Sequence, residues 1–284
     1  MRNSKENKMR AKLSGTNRIR EFRQVAEKLT AQITDNQNVI GIVFIGGLAR
    51  GFVDQSSDLD GMVFLDDKNE ALEKHIREIV ESKSKKFNIE IDLEIHLLDN
   101  FKKHKWNEIE KWDFSHAEIA YDKEGQIRRI IDAKLKTSKE FWLRRLVQCA
   151  EYMKWYCCPP SDKIGTVAEA WVNRGDPVSA HFCVSYAVEL ILKTVFALNK
   201  GFMPPPKWSV FYLRNLNWLP KNYALLNDAM KTDDLSVDDL RRRLKAVRKI
   251  WAEILLKIKS ETGFGPREID RYYVEQILNQ RMPN

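Results

Sequence analysis

Asp58 and Asp60 stand two residues apart at the start of an apolar run, Leu59 to Leu65. On extended chain that spacing sends both side chains to one face, so two carboxylates converge where the strand is otherwise apolar. Like charges held that close repel unless a cation lies between them, and a hard divalent ion is the usual partner of oxygen donors. The pair is therefore expected to hold Mg²⁺. Upstream, the apolar and partly β-branched run Val39 to Ile45 stops at Gly46-Gly47. Glycines there let backbone amides approach an anion closely, and Arg50 adds a fixed positive charge beside them. Each half alone has a plainer explanation, a turn for the glycines and a solvated loop end for the aspartates. Together they put phosphate on one side and metal on the other.

The order strand, Gly-Gly, ten residues, Asp-Leu-Asp, apolar strand resembles the signature of the DNA polymerase β-type nucleotidyltransferase superfamily. Within it, GGLARG followed by SSDLDGMVF is most similar to the small-molecule branch, the aminoglycoside and lincosamide nucleotidyltransferases. The resemblance implies an α+β fold, a mixed β-sheet with flanking helices followed by a C-terminal α-helical bundle. It implies an enzyme that uses two Mg²⁺ ions to move NMP, AMP from ATP above all, to a hydroxyl of a small polar acceptor such as an antibiotic. Asp58 and Asp60 would be metal ligands, and Gly46, Gly47, Arg50 and Ser57 would lie along the nucleotide phosphates. The resembling families carry Gly-Ser where this chain has Gly46-Gly47, so no hydroxyl is offered there.

The resemblance also implies a third carboxylate, flanked by apolar residues, on a strand after Asp-x-Asp. Asn88 to Leu98 alternates, with Ile89, Ile91, Leu93, Ile95 and Leu97 on one face and Glu90, Asp92, Glu94 and His96 on the other. Asp92 and Glu94 both fit. Asp92 is preferred as metal ligand and proton acceptor, because a mid-strand position would shield it, and Glu94 is the alternative. In the families resembled, a lysine of the helical domain reaches the triphosphate; Lys207, after the stiff segment Pro204-Pro205-Pro206, is the candidate.

The chain has 284 residues, 43% hydrophobic and 31% charged, which describes a folded globular protein with a sizeable core. The formal charge is +8, but residues 1–20 hold seven Lys or Arg against one Glu, +6 in all, leaving +2 for the rest. That distribution argues against a long nucleic-acid groove and for a basic flexible tail over residues 1–15. No uncharged apolar run approaches the ~20 residues of a membrane helix, and no signal core follows the basic start, so a cytoplasmic protein is expected. The four cysteines show no zinc spacing and read as reduced thiols.

Helical periodicity surrounds the two strands. Ile19, Phe22, Val25, Ala26, Leu29 and Ile33 form one amphipathic stripe, and Leu72, Ile76, Ile79 and Val80 mark a crossover helix. A domain boundary is expected near 130, giving a nucleotidyltransferase domain over 16–130 and a helical domain over 131–284. The regular helix Pro177 to Leu198 should be capped by Asp176, with Glu189 and Lys193 as a surface pair. Arg241-Arg242-Arg243 reads as a solvated run. The alternatives are nucleotide transfer to RNA or protein, or a ribonuclease or toxin-system module in the helical half, where Arg174 and His181 have the Arg-x6-His spacing of HEPN-type nucleases.

Overall fold

A computed structural model describes residues 13–161 and 164–278, so most of the basic tail lies outside the described residues. The chain divides into a sheet unit, Lys12–Lys136, and a helical unit from Thr137 onward. The division thus falls after 136 rather than at 130. The reason is the helix Gln126–Leu135, whose Ile127 and Ile131 pack in one core with Ile40 and Val43 of the sheet.

In the sheet unit, α1 (Ile19–Ile33) buries the expected stripe, and β1 (Val39–Phe44) is buried along its whole length. After it come the short α2 (Gly46–Arg50), β2 (Leu59–Leu65), α3 (Glu70–Phe87) and β3 (Ile91–Leu97). Asn69 caps α3 by accepting from the Leu72 amide, and Asn88 ends it in the left-handed region at φ 50°. Then α4 (Leu98–Lys103), α5 (Glu108–Ser115), β4 (Glu118–Asp122) and α6 (Gln126–Leu135) complete the unit. The strand order is β3-β2-β1-β4, with β1 antiparallel to both β2 and β4 and β2 parallel to β3. The parallel pair is made by α3 crossing over, as its apolar face predicts.

Alternation sorts the side chains into two layers. Ile42, Phe44, Leu59, Val63 and Leu65 meet α1 and α3 on one face, with Ile91, Leu93, Ile95 and Leu97 of β3 at its margin. Val43 and Phe64 meet Phe101, Trp106, Phe114 and Ile127 from α4 to α6 on the other. Because β1 runs against β2 and β3, the end of β1 and the starts of β2 and β3 lie at the same end of the sheet.

The helical unit holds α7 (Lys139–Tyr156), α8 (Val167–Asn173), α9 (Pro177–Leu198), α10 (Pro206–Leu213), α11 (Leu226–Met230), α12 (Val237–Thr262) and α13 (Pro266–Tyr273). Asp176 caps α9 as expected, accepting from the Ser179 amide at 3.1 Å. By length and composition α9 could cross a membrane, but 72% of its most apolar window is buried within the protein, as befits a central core helix. Arg243 departs from expectation. Instead of being solvated it is 1% exposed, because the apolar face of α12 that carries Leu240, Leu244 and Val247 turns it inward.

Candidate active site

Asp60 sits in β2 directly opposite Asp92 of β3 in the parallel register. Neighbouring strands lie about 4.8 Å apart, so two carboxylates project side by side from one face. Glu94 is opposite Met62, one alternation further along. The register therefore brings Asp92, and not Glu94, beside Asp60. The reason given for Asp92 from sequence does not hold in the same form, since Asp92 is the second residue of β3 and is exposed, while Glu94 is mid-strand. Pairing in the sheet singles it out, not shielding.

The glycines meet this pair from β1. Gly46 adopts φ +63°, and a Cβ there would overlap the Asp60 carboxylate oxygen Oδ2. The Asp60 side chain thus lies against the bare Cα of Gly46, while the Ile45 amide donates to the Asp60 carbonyl at 3.1 Å. The two glycines begin a short helix rather than only a turn. Gly47 also has no room for a side chain, since a Cβ would stand 2.7 Å from Val53 Cγ1 and 2.8 Å from the Phe52 carbonyl. A serine at this position would need the loop to move, which accounts physically for glycine as the second residue.

Asp58 precedes β2, and Ser57 is bound to the loop itself: its hydroxyl donates to Asp54 Oδ1 at 3.0 Å and accepts from the Asp54 amide at 3.0 Å. Arg50 reaches α5, where its guanidinium lies 3.3 Å from Asp113 Oδ1 and 4.9 Å from the centre of the Trp112 ring. Burial there, with the Arg50 charge adding to it, holds the His116 imidazole below its usual range against the pull of the Trp112 carbonyl. Among the described residues no group of three or more His, Cys, Asp or Glu side chains is arranged to hold a metal ion. Asp60 and Asp92 offer paired oxygen donors. That fits Mg²⁺, which keeps several waters and takes one or two carboxylates together with substrate phosphates.

His96 lies on this face, as the alternation of β3 expects. Its Nε2 lies 2.7 Å from Glu94 Oε2 and its ring stacks over Phe64 with centroids 6.2 Å apart.

In the helical unit, Lys207 is exposed in the first turn of α10. A cation gains nothing from the helix dipole there, so capping does not explain it. Arg174 and His181 do not share a site. Arg174 is exposed and lies over Trp171 at 4.8 Å, whereas His181 is buried, with Nε2 2.9 Å from the Ser236 carbonyl and Nδ1 2.9 Å from Arg243 Nη1. Glu189 and Lys193 form the expected surface pair at 2.6 Å. All four cysteines are free thiols, three of them buried, and burial pushes Cys158 up to about 12.

No family model matches the chain, and no curated protein does. Among solved structures, a nucleotidyltransferase-like protein from Exiguobacterium sibiricum superposes with a TM-score of 0.42 at 12% identity, over 89% of this chain and 80% of that one. A mutant of the toxin–antitoxin pair MntA–HpeT gives a TM-score of 0.31 at 13% identity, over 45% of this chain and 97% of that one. Superpositions this loose do not bear on chemistry. The fold itself is α+β, a mixed four-stranded sheet flanked by helices and followed by a helical region.

Proposed function

We propose that the protein is a Mg²⁺-dependent nucleotidyltransferase that moves a nucleoside monophosphate from a nucleoside triphosphate, ATP above all, to a hydroxyl of a small polar acceptor. One observation carries the reading: Asp60 is paired in register with Asp92 while its carboxylate rests on Gly46. An acidic pair and a side-chain-free backbone stretch are thereby brought to one place, as a bound triphosphate with its metal requires.

Asp60 and Asp92 would hold Mg²⁺. When bound, the metal supplies positive charge against the triphosphate oxygens as charge builds on them. Backbone amides at Gly46 and Gly47 would approach the phosphates where no Cβ intervenes. The acceptor oxygen forms its bond to the α-phosphorus as the bond to pyrophosphate breaks, and Asp92 takes the hydroxyl proton. Because Asp92 is exposed on an edge strand, an acceptor can reach it from solvent. Glu94, bonded to His96, would meet the acceptor rather than the phosphates.

The test is mass spectrometry of the full chain incubated with Mg²⁺, each NTP and a panel of aminoglycosides, lincosamides, nucleotides and short RNAs. A small-molecule product heavier by one NMP establishes the reading. Addition only to RNA or to protein changes the acceptor class, and no transfer from any NTP overturns it.

A further inference from the structure

In the helical unit α8 and α12 leave an open groove of about 710 Å³ between them. Its α12 wall runs from Val237 to Ala252, about 22 Å at 1.5 Å per residue. Val172, Leu244 and Ala252 make much of the lining, and Leu256 continues the same line of α12 one turn further with 70% of its surface exposed. The rim is basic. Arg241 and Arg248 are offset by Asp238 and Glu169, each at 2.8 Å. Lys245 and Lys249 also line the groove, both exposed and without an acidic partner among the described residues. They are one turn apart, which separates them by about 6 Å.

We propose that this groove docks an acidic amphipathic helix of a partner protein. Two ammonium groups spaced by one helical turn match carboxylates spaced by one turn on a helix lying alongside, and an apolar stripe on that helix would cover Ala252 and Leu256. A small dianion would meet the lysines and leave most of the trough empty. A nucleic-acid strand is disfavoured by the lining, which holds no Trp, Tyr or Phe on which a base could stack. Docking here is independent of the chemistry of the sheet unit.

The experiment is fluorescence anisotropy of the full chain with a labelled 18-residue amphipathic peptide carrying a leucine stripe flanked by glutamates at i, i+4 and i+8. Its controls are the same peptide with lysines for the glutamates, and an 18-nucleotide polyuridylate. The glutamate peptide should bind at least about tenfold more tightly than its lysine twin, with affinity falling as salt rises. Lys245→Glu combined with Lys249→Glu should reverse that preference, and Ala252→Trp should block both peptides while leaving the thermal midpoint in place. Equal binding of the two peptides, absence of binding, binding unaffected by Ala252→Trp, or tighter binding of polyuridylate would each overturn the assignment.

Discussion

Charge is handled in opposite ways in the two units. In the sheet unit Asp92 and Glu94 stand exposed on an edge strand, beside a neighbour of like charge or tied only to a surface imidazole. In the helical unit Arg243, His181 and Asp239 are buried and bonded to one another or to the backbone. Arg243 alone donates to the Ala229 carbonyl at 2.8 Å, to His181 Nδ1 at 2.9 Å and to Ser185 Oγ at 3.0 Å. An ionised group inside a core is tolerable only when its hydrogen bonds are met, so such groups specify packing. Acids exposed at a surface, as Asp92 and Glu94 are, do not specify packing in that way. The difference separates charge left open at the surface from charge committed to the fold.

That contrast can be broken from either side. Asp60→Asn should lower nucleotidyl transfer by about 10³-fold or more, as losing a catalytic metal ligand does, with circular dichroism and thermal midpoint unchanged. Substantial activity at saturating Mg²⁺ would leave the acidic pair without a role. Arg243→Met should act in the reverse sense. Leaving the Ala229 carbonyl and His181 Nδ1 without their donor should cost about 3 kcal/mol in urea denaturation. A change below about 1 kcal/mol would show that the buried cation does not secure the core.

The third strand sharpens the comparison within one element. Asp92→Asn should reduce turnover by roughly 10²-fold with substrate affinities changed less, as loss of a general base does. Glu94→Gln should chiefly raise the KM for the acceptor. The reverse ranking in steady-state kinetics would move the base to Glu94.

The smallest effect concerns Glu151, 3% exposed on α7 with Oε2 2.7 Å from Lys154. Burial, aided by the neighbouring Asp270, holds this carboxyl above the usual glutamate range despite the lysine. For an acid raised in the folded state, the stabilising contribution is complete below its unfolded pKa and is lost as pH rises through the folded value. Glu151→Gln should therefore match the native protein near pH 4 and be the more stable of the two at pH 8, in paired denaturation curves. A native protein more stable than the variant at pH 8 would reverse the sign and make the Lys154 pair dominant.

Much of this was legible before any coordinates. The bounds of α9 follow from Asp176, Pro177 and the helix-ending stretch at Gly201, and those of β2 from Asp58 before it and Asp66-Asp67 after it. Local signals of that kind act through a few adjacent residues. The partner of Asp60 is another matter, because parallel register depends on where α3 delivers the chain, and alternation alone gave Asp92 and Glu94 the same face. Arg243 was misread for a similar reason. A triple arginine run looks solvated until the α12 stripe assigns its third member to the inner face. The close fit at Gly47 was equally invisible, since Val53 comes near it only after the loop has closed.

The bare Cα of Gly46 has a consequence for handedness. At φ +63° the hydrogen that points at Asp60 Oδ2 occupies the position where an L-residue carries its Cβ. The other hydrogen stands where a D-residue would place its methyl, and that backbone region is one a D-residue prefers. Semisynthesis with D-alanine at this position therefore separates two demands that glycine meets at once. It keeps the left-handed backbone and the contact with Asp60, and it fails only if the space on the side of Gly46 away from Asp60 must also be clear. Activity retained with D-alanine but lost with L-alanine would assign the requirement to the carboxylate. Loss with both would assign it to the space opposite Asp60.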